Sequence, residues 1–141
     1  MLKNLETADE IRASFRTFSI LRPHLDEDTF VEQALRQIKE QGYIITAILE
    51  DDVVVSAAGY RFMEALAWGK FIYIDDLVTH PDARGKGYAG QLLNYLKDLA
   101  IENNLDAIHL DSGHTRFDAH RVYLNHGYKM RAHHFDLDLS S

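Results

Sequence analysis

The chain has 141 residues, with 15 lysine and arginine residues against 22 aspartate and glutamate residues, which gives a formal net charge of −7. This length fits one domain of about 100–150 residues, so we expect a single domain over residues 1–141. There is no cysteine, which excludes a disulfide scaffold, a cysteine zinc site and a thiol nucleophile, and favours the cytoplasm. The acidic balance argues against nucleic-acid binding, and no apolar run approaches the ~18 residues of a membrane helix. We also expect no secretory leader.

The predicted elements begin with a short strand at residues 2–5. Thr7 and Glu10 have the spacing of a capping box, which predicts a helix from there to about Leu21. A second helix is predicted at 29–41. The next predicted elements are three strands at 43–49, 53–63 and 70–79, followed by a helix ending near Asn103, a strand at 107–111 and a helix at 117–125. A closing strand is predicted at the end of the chain, where Phe135, Leu137 and Leu139 alternate with Asp136 and Asp138. This order, β-α-α-β-β-β-α-β-α-β, predicts an α/β protein with a mixed sheet.

A glycine-rich stretch joins the third strand of this meander to the following helix. Gly85, Gly87 and Gly90 match G-x-G-x-x-G at a predicted helix start, where unpaired N–H groups favour phosphate, so we expect phosphate binding rather than a plain turn. A dinucleotide site is weakened by the intervening polar loop His80–Arg84 and by the lack of room after Asp111 for a second mononucleotide half. An ATP-type loop is excluded because the chain has no Gly-Lys-Ser or Gly-Lys-Thr.

A second spacing in the same stretch is more informative. Arg84-x-x-Gly87-x-Ala89, directly after the strand that ends at Thr79, resembles the acyl-CoA-binding signature of the GNAT superfamily of N-acetyltransferases. The segment 119–128 resembles the A-x-x-x-Y-x-x-x-G-F/Y region of that family. Both motifs occur in the family's order, and the resemblance covers almost the whole chain. It implies the GNAT fold and a transferase that uses acetyl-CoA as cosubstrate.

The resemblance also implies which residues hold CoA. In the family, backbone N–H groups of the loop bind the CoA pyrophosphate; here they belong to Gly85, Lys86, Gly87, Tyr88, Ala89 and Gly90, with Arg84 alongside. The pantetheine arm pairs like an added strand with the third meander strand, near Leu77, Val78 and Thr79, because that strand and the next diverge in the family. Many members have Asn where this chain has Arg116, so contacts at that position are not carried over.

Acetyl transfer to an amine requires a base, because a primary amine has a pKa near ~10 and arrives protonated. Asp75 resembles the basic Glu of diamine and polyamine acetyltransferases, which implies a general base. Asp76 should point to the opposite face, since strand side chains alternate, and either binds the amine or makes a structural hydrogen bond. The family implies an oxyanion donor at the N–H of Leu77 or Val78 and a general acid at Tyr123. A polar strand end and a packed core tyrosine are the alternatives.

The acceptor is left open as a small-molecule or peptide amine. Asp75, Asp76 and the acidic run 26–28 could favour a small cation, although a solvated helix start explains that run equally well. His120 and His134 are alternative bases, and no metal site is expected. The oligomeric state is left open, with a homodimer as one candidate because it is the commonest assembly of oligomers. The other hypotheses are a catalytically silent CoA-binding module that regulates a partner and a dinucleotide-binding domain.

Overall fold

The computed structural model describes residues 1–140, which separate into two compact units, Met1–Leu110 and a second beginning at Asp111. The first unit contains every strand found in residues 1–140. Its elements are β1 (Leu2–Asn4), α1 (Ala8–Ala13), α2 (Phe15–Leu21), α3 (Glu27–Gln41), β2 (Ile44–Glu50), β3 (Val53–Ala65), β4 (Gly69–Thr79), a short 3₁₀ helix (Pro81–Ala83), α4 (Tyr88–Glu102) and β5 (Ala107–Leu110). The second unit contains α5 (Phe117–Asn125). No helix among residues 1–140 is both long and apolar enough to cross a bilayer.

One five-stranded sheet organises the first unit, in the order β1-β2-β3-β4-β5. The first four strands are antiparallel neighbours, as expected for strands joined by short turns, whereas β5 lies parallel to β4. A parallel neighbour requires a long crossover, which α4 supplies. The mixed α/β fold class is therefore confirmed.

The helix predicted to run from Thr7 to Leu21 is interrupted at Ser14. Its predicted capping box is present, with Thr7 accepting from the Glu10 N–H at 3.2 Å and Glu10 accepting from the Thr7 N–H at 3.0 Å. Ser14 is fully buried and its hydroxyl donates to the Ile11 carbonyl at 2.6 Å. A serine that bonds the preceding turn competes with regular helix geometry, and it separates α1 from α2 here.

Helices α1, α2 and α3 supply much of a buried apolar cluster with the sheet. The cluster comprises Leu5, Ile11, Phe18, Phe30, Val31, Ala34, Tyr43, Ile45, Ala47, Val54, Ala57 and Val78. Helix α4 packs on β3, β4 and β5 and buries Leu92, Leu93 and Leu96 almost completely. The apolar spacing of both long helices thus fixes them to the strands that carry the candidate site.

The predicted closing strand is not formed. Residues 129–140 adopt neither helix nor strand, and Phe135, Leu137 and Leu139 are strongly exposed. Alternation of apolar and acidic residues is compatible with a strand, but a strand also needs a hydrogen-bonded neighbour. The alternation alone was therefore insufficient to predict the element.

Candidate active site

Strand β4 extends beyond the residues that pair with β5. The β4–β5 ladder covers only Phe71–Ile74 opposite Ala107–Leu110, where β5 ends. Strand β4 continues to Thr79, still paired with β3 on its other side. Within the first unit, no strand pairs with the last five residues of β4 on the β5 side. This edge, which includes the buried Leu77 and Val78, is suited to an extended ligand that contains amide groups.

A β-bulge in β4 places Asp75 and Asp76 on the same face. Asp76 pairs with Gly59 whereas Ile74 pairs with Tyr60, so Asp75 is the extra residue on β4. Gly59 and Arg61 share a face of β3, and Arg61 pairs with Tyr73. Because direct cross-strand partners share a face, Asp76 lies on the face of Tyr73, and so does Asp75, two residues after Tyr73. The expectation that the two aspartates point to opposite faces was wrong, because a bulge inserts one residue into the alternation.

Asp75 is held by a guanidinium from the neighbouring strand. Arg61 donates to both of its carboxylate oxygens, from Nε at 2.9 Å and from a terminal nitrogen at 2.8 Å. The hydrogen bond to Asp75 raises the pKa of Arg61, whose guanidinium also lies 5.6 Å from the Tyr73 ring centroid. Two parallel bonds fix the plane of the carboxylate. Asp75 is thus firmly oriented, and each oxygen keeps remaining acceptor capacity.

The carboxylate of Asp76 makes hydrogen bonds to side chains within the fold. It accepts from the Tyr43 hydroxyl at 2.6 Å and from the Arg22 Nε at 3.0 Å, and its side chain is only 15% exposed. Burial and then the charge of Asp76 raise the pKa of Tyr43 well above its usual value, so this hydroxyl retains its proton. Arg22 also donates to the Asp75 carbonyl at 3.0 Å. These bonds connect the bulge to the end of α2 and the start of β2.

A polar cavity of about 260 Å³, largely open to solvent, lies against the bulge. It is lined by Gln33, Arg36, Gln37, Gln41, Arg61 and Asp75. Five of these residues were missed by sequence reasoning. The available signal was the spacing of the glutamines, since positions i, i+4 and i+8 form one polar stripe beside the apolar face of a helix.

The glycine loop leads into an open helix start. Gly85 and Gly87 have φ angles of +82° and +80°, a region costly for other residues, and a Cβ atom at either position would meet no atom of residues 1–140 within 4 Å. No side chain within residues 1–140 caps α4, which begins at Tyr88. Its first amides therefore lack partners in the helix, and they coincide with the positive end of the helix dipole. The space and the donors suit a phosphate group.

Glu50, at the end of β2, contacts this loop. It pairs with Lys86 at 3.3 Å and accepts from the Tyr88 hydroxyl. The Tyr88 bond and then the Lys86 bond lower the pKa of Glu50. Lys86 is therefore already paired, whereas the guanidinium of Arg84 makes no hydrogen bond or ion pair within residues 1–140.

Tyr123 belongs to the second unit, on α5. It is 9% exposed, and burial raises its pKa, so it is a protonated donor at neutral pH. Its hydroxyl has no hydrogen-bond partner among residues 1–140. Of the two histidines considered as bases, His120 bonds the Gly113 carbonyl at 2.8 Å and His134 lies 3.4 Å from Asp111. No group of three or more acidic or histidine residues in the described chain could hold a metal ion.

An open β4 edge that leads through a glycine loop to an uncapped helix is an arrangement suited to an extended, phosphate-bearing ligand. The acetyltransferase (GNAT) family model matches residues 5–128. The chain is 32% identical over 122 residues, 86% of each protein, to the uncharacterized N-acetyltransferase YhdJ of Bacillus subtilis strain 168. The chain therefore belongs to the GNAT family and is an acyltransferase.

Solved structures show the same fold. A transcriptional regulator from Bacillus halodurans C-125 superposes with a TM-score of 0.85 at 19% identity, covering 99% of this chain and all of the other. An acetyltransferase of Trypanosoma brucei gives 0.80 at 19% identity, and a ribosomal-protein-alanine N-acetyltransferase of Brucella melitensis biovar Abortus 2308 gives 0.83 at 16%, each with 99% of both chains covered. At these identities the likeness concerns the fold alone.

Proposed function

We propose that the whole chain acts as one acetyl-CoA-dependent N-acetyltransferase that acetylates a primary amine by direct attack. The observation that carries this proposal is the continuous path from the open edge of β4 through the glycine loop to the start of α4. A thioester cosubstrate supplies an activated acetyl group when bound. The space beside Gly85 and Gly87 suits its phosphates, because no atom of residues 1–140 lies within 4 Å of a Cβ placed at either glycine.

Binding is assigned to backbone groups and one free cation. The amides of Gly85, Lys86, Gly87, Tyr88, Ala89 and Gly90 donate to the pyrophosphate, and the unpaired Arg84 adds charge. The backbone edge of Leu77, Val78 and Thr79 pairs with the amide-rich arm. The Thr79 hydroxyl already contacts the Ser56 hydroxyl at 2.9 Å, which leaves its backbone as the group available to the ligand.

Catalysis is assigned to three kinds of group. Asp75 accepts the amine proton through water, which exposes the nitrogen lone pair for attack. A backbone N–H of Leu77 or Val78 donates to the oxyanion that forms on the former thioester carbonyl. Tyr123 gives its proton to the departing thiolate; a thiol has a pKa of ~8.5, and a phenol of ~10 can protonate it within an active site. Asp76 orients the bulge.

The test measures acetyl transfer from acetyl-CoA to a panel of primary amines, and the release of the free CoA thiol reports the reaction rate. We expect Asp75→Asn and Tyr123→Phe each to lower kcat by about 10²–10⁴-fold while acetyl-CoA binding is kept, because general acid–base groups contribute on this scale. Asp98→Asn and Tyr128→Phe are matched controls that should retain activity. A wild-type enzyme that turns over and is insensitive to both changes would contradict the assigned roles.

A catalytically silent CoA-binding module is the second candidate. The bidentate pairing of Asp75 with Arg61 favours it, because both carboxylate oxygens already accept hydrogen bonds from a cation within the fold. This candidate predicts acetyl-CoA binding without turnover of any amine. The homodimer is a separate proposal, and size-exclusion chromatography with light scattering tests it.

A further inference from the structure

The cavity beside Asp75 has the size and lining of a small polar binding site. Its volume, about 260 Å³, is below the ~300–1,000 Å³ of sites for drug-sized ligands. Gln33, Gln37 and Gln41 contribute amide groups from one side of α3, and Gln33 donates to Gln37 at 2.9 Å. Such a site accommodates a molecule about as large as an amino acid, with several hydrogen bonds and little apolar contact.

The charge of the cavity is positive overall. Two guanidinium groups and one carboxylate line it, and Arg61 is bonded to both oxygens of Asp75. The side chain of Arg36 has no hydrogen bond or ion pair with any residue from 1 to 140. The excess positive charge therefore resides on Arg36, whose planar fork of donors matches a carboxylate.

The acidic run near the start of α3 does not offset this charge. Asp26 caps the helix by accepting from the Thr29 N–H at 2.8 Å. Glu27 and Asp28 both pair with Arg12, at 3.2 Å and 2.8 Å. These carboxylates cap the helix and pair with Arg12. Their contacts therefore do not support the expected attraction of a small cation.

We propose that this cavity is the acceptor site, that Arg36 binds a carboxylate of the acceptor, and that the acceptor class is a small free amino acid. This inference rests on the proposed acetyl transfer. The amine faces Asp75 and the carboxylate faces Arg36. In the reaction, the amine nitrogen bonds the acetyl carbon and the carbon–sulfur bond breaks. The amine arrives as an ammonium group, and one of its protons passes through water to Asp75. The thiolate receives the proton of Tyr123, and the second proton that leaves the nitrogen as the amide forms returns through water to Tyr123.

The experiment compares three forms of one acceptor. The standard amino acids are screened with acetyl-CoA, and the best one is tested beside its carboxamide and its decarboxylated amine. Wild type should prefer the free amino acid by about 10- to 100-fold in kcat/KM, the usual scale for hydrogen bonds to a charged group. Arg36→Gln should remove this preference by raising KM for the amino acid, with less than about twofold change for the decarboxylated amine. Arg36→Lys should retain part of the preference, and Lys39→Gln, an exposed change on the same helix, should retain all of it.

Direct binding separates this inference from the proposed function. Amide chemical shifts are followed by NMR during titration with the same amino acids, with no turnover required. Shifts at α3 in wild type that are lost in Arg36→Gln support the acceptor site even if acetyl transfer fails. Equal kcat/KM for the three acceptor forms, or binding unchanged by Arg36→Gln, overturns the inference while acetyl transfer to amines still stands. An absence of amino-acid binding in wild type also overturns it.

Discussion

The bond from Tyr43 to Asp76 should be a measurable source of stability at the bulge. Tyr43→Phe removes the hydroxyl that donates to Asp76 at 2.6 Å and keeps the ring, which is 5% exposed. Hydrogen bonds to charged groups contribute about 1.5–3 kcal/mol. Because Asp76 retains Arg22, we expect a loss of about 2 kcal/mol, and a Tm lower by about 6–8 °C for a chain of this length.

The assay is urea unfolding followed by far-UV circular dichroism, with thermal unfolding as a second measurement. Tyr128→Phe is the control, since it also removes a tyrosine hydroxyl but no bond to a carboxylate, and it should change stability by less than about 0.5 kcal/mol. Asp76→Asn combined with Tyr43→Phe should show clear coupling in a double-mutant cycle. If Tyr43→Phe is as stable as wild type, or if the two changes are additive, the role given to this bond is refuted.

Three further changes test the loop and the helix starts. Gly87→Ala should cost about 1–2 kcal/mol in urea unfolding because its φ is +80°, whereas Gly113→Ala should be nearly neutral, and equal losses would contradict the backbone argument. Lys3 and two backbone N–H groups lower the pKa of Glu10 to about 2 from 4.5, so the stability it adds is complete above about pH 4.5 and lost as the pH falls through about 2. The difference in Tm between wild type and Glu10→Gln should shrink over that window, and a constant difference would count against it. Glu50→Gln should tighten CoA binding by about twofold to fivefold, because it frees Lys86 and Tyr88 of the loop. Calorimetry measures this affinity, and weaker binding would show instead that Glu50 orders the loop for the ligand.

The ends of several helices could be predicted because their signals act within a few residues. Thr7 and Glu10 form their capping box across one helical turn. Gly42 adopts φ +68° just after α3, as expected for the residue that ends a helix in the left-handed region. The glycine loop was predictable for the same reason, since positive φ angles at Gly85 and Gly87 are a local property.

The environment of the aspartates could not be predicted from local pattern. The bulge arises from the register between β3 and β4, which no single strand determines. The partners of Asp75 and Asp76 come from Arg61 and Arg22, and Arg22 is 54 positions away from Asp76 along the chain. Which of many arginines meets a given carboxylate depends on the assembled sheet and its helices.

Binding of CoA by the glycine loop is the central claim, and a thermal-shift titration tests it most directly. Acetyl-CoA, CoA and NAD are titrated against wild type, Gly87→Glu and Gly42→Glu; the last places the same side chain at another glycine of positive φ with open space around it. A ligand that binds only the folded state raises Tm with concentration. We predict that both CoA species stabilise wild type and Gly42→Glu, that neither stabilises Gly87→Glu, and that NAD has no effect. Stabilisation by NAD, or no shift with either CoA species at millimolar concentration, would contradict the account.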